Sequence, residues 1–521
     1  MKKILLFILI PIMCMPIIAA NEEFLIESIT PASTSVFVKT LPIRNLLRSV
    51  NGFINHTFTA SQKKDLLKSV EEFKTKTGID LLNEANLRRA GVDITKPMAY
   101  AIANAGKPEE KILIFIPVLD PKTAPLKISQ VLSVLSDDEI EPVISKHKDV
   151  EILKVKDAFY FAAAAYCVIA SNESFVKQVI DLASGEGAAL NADPMYQKYL
   201  LNINKRNEIN GYIKPDFQGI QKMLDSNFGK DKSAIEYLSF GLTLNPQRIA
   251  ISFGAEYSGG TSEIASLIDV LKSGNTAVSL YNNRTLIYGL LSLDPEKLQP
   301  FLTAKLANPR DNLSREAAKL NRITGVNIAD EFVPNMGGAI SVYMENPLTG
   351  DYVVFMPMKD AAKTKAFMTK FEEVMKARFE AEKRFAATTI NKVPGFWVRD
   401  PKGKRTFYCS NARGIFIGTS TELITRVMGF QPISEIKTKD ATLNKIDENL
   451  FMIARIRRND LLGQFIMGQL SRQGLISAGD MAELSKTASR IGDIFLTGSK
   501  KKNYIEIQLD VSLSQTPARK Q

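Results

Sequence analysis

An ordered set of segments occurs twice in this sequence, roughly 240 to 255 positions apart, so the chain must bury the same kind of apolar face twice over. Thr77-Gly78-Ile79-Asp80 ends one helical pattern, and Thr324-Gly325-Val326-Asn327 stands in the same relation 247 positions later. A strand with proline near its end follows in each half, Ile112 to Pro117 and then Asp120, against Tyr352 to Pro357 and then Asp360. Val155-Lys156-Asp157 is answered by Val398-Arg399-Asp400, each closing a strand, and Asp400-Pro401-Lys402-Gly403 has β-turn chemistry. The returning strand reaches Ser171-Asn172-Glu173 in one copy and Ser420-Thr421-Glu422 in the other, small polar residues placed as helix caps.

Each copy closes on a strand and helix, Tyr212 to Met223 and Phe451 to Met467, followed by a hairpin. The first hairpin runs Leu238 to Phe253 across Asn245-Pro246-Gln247, and the second runs Ile494 to Val511 across Gly498 to Asn503. Strict alternation from Tyr504 to Val511 predicts one packed face and one wet face. Leu66, Leu67, Val70 and Phe73 form an apolar stripe between a cap at Ser61 and a stop at Gly78, and Phe367, Phe371, Val374 and Phe379 form its counterpart. Both stripes are expected to pack on a sheet.

This order predicts an α+β fold of two tandem similar lobes, each a largely antiparallel sheet with packed helices. The expected boundaries are a signal peptide over 1–20, a first repeat over 21–257, a linker helix over 258–274 bounded by Gly259-Gly260 and Gly274, a second repeat over 275–513, and a tail over 514–521.

The first twenty residues set the expected compartment. Lys2 and Lys3 precede an apolar run from Ile4 to Ile18, broken by Pro11 and Pro16, and Ala19-Ala20 supply the small residues of a cleavage site. Asn21 is the expected mature start. The run is short for a bilayer span, and Pro11-Ile12-Met13 before Cys14 lacks the small residue that lipid attachment favours. Ala158 to Ala170 is also too short to span and reads as paired strands, so no transmembrane segment is expected after cleavage. The net charge of +11, or +9 once Lys2 and Lys3 leave, attracts anionic surfaces without naming a ligand or a specific nucleic acid.

The inventory of reactive residues is thin. His56 and His147 are the two histidines, which excludes a three-histidine zinc site, and only Cys167 and Cys409 follow Cys14, which excludes a Cys-x-x-Cys motif. These two thiols are read as buried and free. Ser61-x-x-Lys64 with Lys76-Thr77-Gly78 spells the elements of a serine-lysine hydrolase, but the triplet closes the very helix that Ser61 begins, and Ser174-x-x-Lys177 repeats the short pattern by accident. No glycine-rich phosphate loop occurs. Asp120 and Asp360 are read as caps, with a catalytic carboxylate as the sharper alternative. Arg455, Arg457 and Arg458, Lys500 to Lys502, and Arg519 with Lys520 are read as a solvated strand edge, a hairpin tip and a tail, against an anion-binding surface. Trp397, beside Phe396, is placed in a strand as core or sheet face. No catalytic, cofactor-binding or metal residue is assigned.

The order from the apolar start through Ser35-Val36-Phe37-Val38, the Gly78 block, the strand ending at Pro117 and the step Val168-Ile169-Ala170-Ser171 resembles a family of exported bacterial proteins of unknown function. The resemblance implies export and repeat architecture and supplies no active residues. The expected function is a non-enzymatic protein of the periplasm or cell envelope that binds a macromolecular or apolar partner. The alternatives are a hydrolase of envelope polymers using carboxylates such as Asp120 or Asp360, and a carrier of lipid or another hydrophobic ligand.

Overall fold

The computed structural model describes residues 25–58, 60–105, 109–135, 142–215, 235–258, 263–273, 280–282, 285–306, 315, 318, 321–322, 327–346, 349–432, 450–457 and 491–513. The expected signal over 1–20 with Cys14 and Asn21, the segment Thr324-Gly325-Val326, the helices proposed after β-strands at Tyr212 and Phe451, and the tail over 514–521 lie outside the described residues. The chain divides into two compact units, one over Met1–Ser258 with Leu513–Gln521 and the other over Gly259–Ser512. Both combine helices with antiparallel sheet, an α+β fold.

In the first unit, α1 (Leu25–Ile29) precedes β1 (Thr34–Thr40), and α2 (Ile43–Thr57), α3 (Ala60–Thr77) and α4 (Glu84–Arg89) follow. Then come β2 (Ala99–Ala103), β3 (Lys111–Pro117), α5 (Ala124–Leu135), β4 (Val143–His147), β5 (Val150–Val155), β6 (Ala158–Ala163) and β7 (Tyr166–Ala170). After α6 (Glu173–Ala183) and α7 (Pro194–Asn202), the unit ends in β8 (Ile209–Ile213), β9 (Ile235–Asn245) and β10 (Arg248–Tyr257). The antiparallel pairings give the order β4-β5-β6-β7-β3-β2-β1-β8-β9-β10.

Ile43, Leu46, Leu47, Val50 and Ile54 recur at helical spacing along α2 and are buried with Val70 of α3 and Leu87 of α4. Leu67 and Phe73 join that cluster as the stripe predicts, and it rests on Ile114, Ile116, Leu242, Leu244 and Ile249 of the sheet. Gly78 ends α3 with φ +73°, a value that suits glycine. The helix starts at Ala60, so Ser61 is its second residue and not its cap; the side chains of Ser61 and Leu66 lie outside the described set.

In the second unit, α8 (Glu263–Val270), the expected linker helix, is followed by a bridge from Leu271 to Leu293. The residues Gly259, Gly260 and Gly274 that were to bound it lie outside the described set. Next come β11 (Leu280–Tyr281), β12 (Ile287–Ser292), α9 (Pro295–Leu306), β13 (Ala339–Met344), β14 (Tyr352–Pro357) and α10 (Ala361–Phe379). The rest is β15 (Phe385–Ile390), β16 (Val393–Arg399), β17 (Arg405–Asn411), β18 (Gly414–Gly418), α11 (Thr421–Met428), β19 (Gln431–Pro432), β20 (Leu450–Ile456), β21 (Ile491–Lys501) and β22 (Tyr504–Leu513). Antiparallel pairing gives β15-β16-β17-β18-β14-β13-β12-β20-β21, and β11 pairs with β19.

The strand β22 returns from β21 after Lys502-Asn503, and Ser512 Oγ donates to Asp493 O at 2.7 Å across the pair. The turn is therefore shorter than the expected Gly498 to Asn503, because Gly498 to Lys501 stay in the strand. On α10 the packed face is Met368, Phe371 and Met375, with Phe367 and Phe379 at its margins, against Phe385, Phe396 and Ile415. Val374 is not part of that cluster, since the face turns toward the methionines. On the other side of the same strands, Leu423, Ile424 and Val427 of α11 bury against Phe355 and Phe416.

Candidate functional site

The chemistry-bearing residues singled out from sequence are engaged in holding the backbone. Asp360 Oδ1 accepts from Ala362 N and Lys363 N at 2.8 and 3.0 Å, which caps α10 and holds its carboxyl below the usual range. Asp120 accepts from Thr123 Oγ1 at 2.7 Å and from Lys122 N at 3.1 Å, hydrogen bonds that lower its carboxyl likewise, and the turn they stabilise feeds α5. Asn172 caps α6 through Ser174 N, and Ser420 caps α11 through Leu423 N. A carboxylate held ionised at an exposed helix start is a poor general acid, which weighs against the hydrolase alternative.

Ser174 Oγ donates to Asn172 Oδ1 at 2.7 Å and accepts from Lys111 at 3.0 Å, while Lys177 pairs with Glu173. Thr77 Oγ1 bonds back to Phe73 O within α3. The hydrolase motifs are thus not brought into one place. His147 Nε2 lies 2.9 Å from Asp181, and His56 Nε2 is buried without a hydrogen-bond partner among the described residues. Cys167 and Cys409 are free and buried, and burial pushes both thiols up to about 12, far from nucleophilic at neutral pH. Among the described residues no group of three or more His, Cys, Asp or Glu could hold a metal ion.

The basic clusters separate in space. Arg455 is buried at 6% exposure, donating to Asp493 Oδ2 at 2.6 Å and to Tyr281, so it belongs to the interior and not to a solvated strand edge. Lys500 donates to Ile268 O at 2.7 Å and to Leu271 O at 3.4 Å, closing the C-terminal end of α8 where a cation complements the free carbonyls. Only Lys501 and Lys502 remain at the exposed hairpin tip, and Arg457 is exposed beyond β20. Arg458, Arg519 and Lys520 lie outside the described residues.

Sequence reasoning missed the buried carboxylates, Glu208 and Glu27 among them. Glu208, 7% exposed, accepts from Ser49 Oγ at 2.8 Å and from Leu244 N at 2.9 Å. Glu27, 1% exposed, pairs with Lys39 at 2.8 Å and accepts from Tyr196 OH at 3.2 Å. Their partners lie up to 169 residues away, so nothing local signals them.

The surfaces are more informative than the reactive groups. Alternation along β22 holds, but Tyr504 and Asp510 are the buried residues at 4% and 6%, whereas Ile507 and Leu509 of the apolar face are 39% and 37% exposed. One face is thus more buried than the other, as the alternation predicts, and the apolar face is the more exposed of the two. Tyr504 and Asp510 lie on the opposite face, together with Glu506 and Gln508. On β13 of the same unit, Val342 is likewise 37% exposed while its neighbours Ser341 and Tyr343 are fully buried. Trp397 sits on β16 as a half-buried sheet-face residue beside the fully buried Phe396. No described helix is long and apolar enough to cross a membrane.

Residues 97–390 match the family described as "Protein of unknown function (DUF3352)", a span of more than half the chain. The chain belongs to the DUF3352 family. The DUF3352 match begins just before β2 and ends with β15, so it covers parts of both units. No curated protein matches the chain. Among solved structures, crystal form III of TP0453 aligns with TM-score 0.26 and 11% identity over 46% of this chain and 84% of that one. Crystal form IV gives TM-score 0.25 and 13% identity over 44% and 79%, and form I gives 0.26 and 11% over 48% and 84%. At such scores the likeness carries nothing about role.

Proposed function

We propose that this DUF3352 protein is an exported, non-enzymatic protein of the bacterial periplasm or cell envelope, built from two copies of one α+β unit, that binds an apolar partner on an exposed sheet face. Duplication is supported by strand order: β4-β5-β6-β7-β3-β2-β1-β8-β9 in one unit corresponds, strand by strand, to β15-β16-β17-β18-β14-β13-β12-β20-β21 in the other. Smaller features agree with it. Val92 bridges to Val118 as Met336 does to Met358, and Asp93 N donates to Pro117 O as Gly337 N does to Pro357 O. The hairpins β4–β5 and β15–β16 each turn through two residues at positive φ, Lys148-Asp149 and Asn391-Lys392.

The binding reading is carried by the outward apolar face of β22. Ile505, Ile507, Leu509 and Val511 share one side of the strand, and the exposure of Ile507 and Leu509 at its centre offers an apolar partner a surface to bind. Export is supported by the charged start, apolar run and Ala19-Ala20. Expressed from its first methionine in a bacterium, the protein is expected in the periplasmic or envelope fraction with Asn21 as its first residue, read by intact mass; retention of residues 1–20 on a cytoplasmic product would refute export. The mature protein is expected to enhance the fluorescence of the neutral apolar dye N-phenyl-1-naphthylamine saturably, and Ile507→Glu with Leu509→Glu to remove most of that enhancement. An undiminished signal in the folded double variant would refute the face.

A further inference from the structure

We propose that Arg399 and Arg405, held against Trp397 on the β16–β17 hairpin, form a binding site for a phosphate-type oxyanion. The pairing of these strands places Arg399 directly opposite Arg405, and Trp397 directly opposite Phe407 two positions further along the ladder. Residues two apart on a strand share a face, so both guanidiniums and the indole lie on one side of the hairpin. Arg405 lies 4.5 Å and Arg399 5.3 Å from the Trp397 ring centroid, which gathers two cations around one aromatic ring.

Like charges directly opposite one another repel, so the arrangement calls for a compensating group. None is present among the described residues: neither guanidinium has a carboxylate partner there, and Arg399 Nε is buried without a hydrogen bond. The one acid of the connecting turn, Asp400, is committed through Oδ1 to Lys404 N at 2.8 Å. Arg384, the next residue across the sheet, is paired with Glu382 at 2.8 Å and gives its Nε to Arg399 O, so it braces the row. Lys402 and Lys404 add further positive charge at the tip.

Two planar forks held by one indole suit a tetrahedral oxyanion, which can accept paired N–H bonds from each. The corresponding hairpin of the other unit, β5–β6, carries a weaker version, with Lys154 5.5 Å from the ring of Phe159, its directly opposite residue. A lysine offers no fork, so the phosphate site is assigned to the second unit alone.

Trp397 is the single tryptophan of the chain, so its emission reports the site without labelling. Inorganic phosphate, titrated into the mature full chain at low ionic strength against matched chloride, is expected to change that emission saturably. Arg399→Gln with Arg405→Gln is expected to weaken the response about tenfold or more, Arg405→Lys to weaken it partially, and Lys365→Ala on exposed α10 to leave it unchanged. Vesicles of phosphatidylglycerol and of phosphatidylcholine separate the sources. A response to phosphatidylglycerol alone, lost in the double variant, assigns the oxyanion to a lipid headgroup, whereas a response to inorganic phosphate assigns it to the free ion. Silence toward both probes, an equal response from the folded double variant, or an equal response to polyglutamate, which lacks phosphate, overturns the proposal.

Discussion

Phe355→Ala is expected to lower stability by about 3–5 kcal/mol, among the largest losses any single truncation in the chain would bring. Phe355 is 1% exposed on β14, its ring centroid is 4.8 Å from that of the fully buried Phe416, and α11 closes over both with Leu423, Ile424 and Val427. Removing the ring forfeits its transfer free energy and leaves a cavity between a sheet and a helix that cannot collapse without breaking strand pairing. Phe115→Ala is expected to cost a similar amount, because Phe115 occupies β3, is fully buried, and packs edge-on to Tyr166 at 6.4 Å. Urea unfolding followed by far-ultraviolet circular dichroism gives both values. Trp397 emission follows the second unit, where Phe355 lies. A loss below about 1 kcal/mol at either position would mean that the sheet does not carry the core described.

Much of the local structure was legible because its causes are local. A side-chain oxygen two or three residues before a helical stripe satisfies free amides wherever it occurs, so Asp360 and Ser420 could be read as caps. The run Ala158 to Ala170 divides into β6 and β7 at Ala164, where φ is +50°. The turns at Lys148-Asp149 and Asn391-Lys392 were hidden, since both adopt positive φ without the glycine that usually signals such turns. Alternation in β22 showed which residues share a face, but only the neighbouring strands decide which face turns inward. Charge runs failed for the same reason. Arg455 finds Tyr281 174 positions away, and Arg399 meets Arg405 only once the hairpin register is known. The candidate site is a product of pairing, and composition records its residues without their neighbours.

Gly414→Ala is expected to be the most damaging change of a single methyl group, at about 3 kcal/mol or more. Gly414 opens β18 opposite Pro357, the last residue of β14, with φ +155°, a region that side chains rarely enter. A Cβ there would stand 2.2 Å from Met356 O and 2.9 Å from Pro357 Cα, and both obstacles are backbone, so no rotamer change relieves them. Retreat is blocked from the other direction as well, because Gly337 N donates to Pro357 O at 2.7 Å and Gly337 itself has no room for a Cβ. The end of β14 is thus clasped between two glycines. Gly350→Ala provides the comparison: its φ of +64° is also unfavourable for alanine, but nothing lies within 4 Å of the added methyl, so the expected cost is roughly 1–2 kcal/mol of backbone strain alone. Urea midpoints of the two variants separate crowding from strain. Equal losses at both positions would show that β14 and β18 have space to part, and would remove the close approach at Pro357 from the account of this sheet.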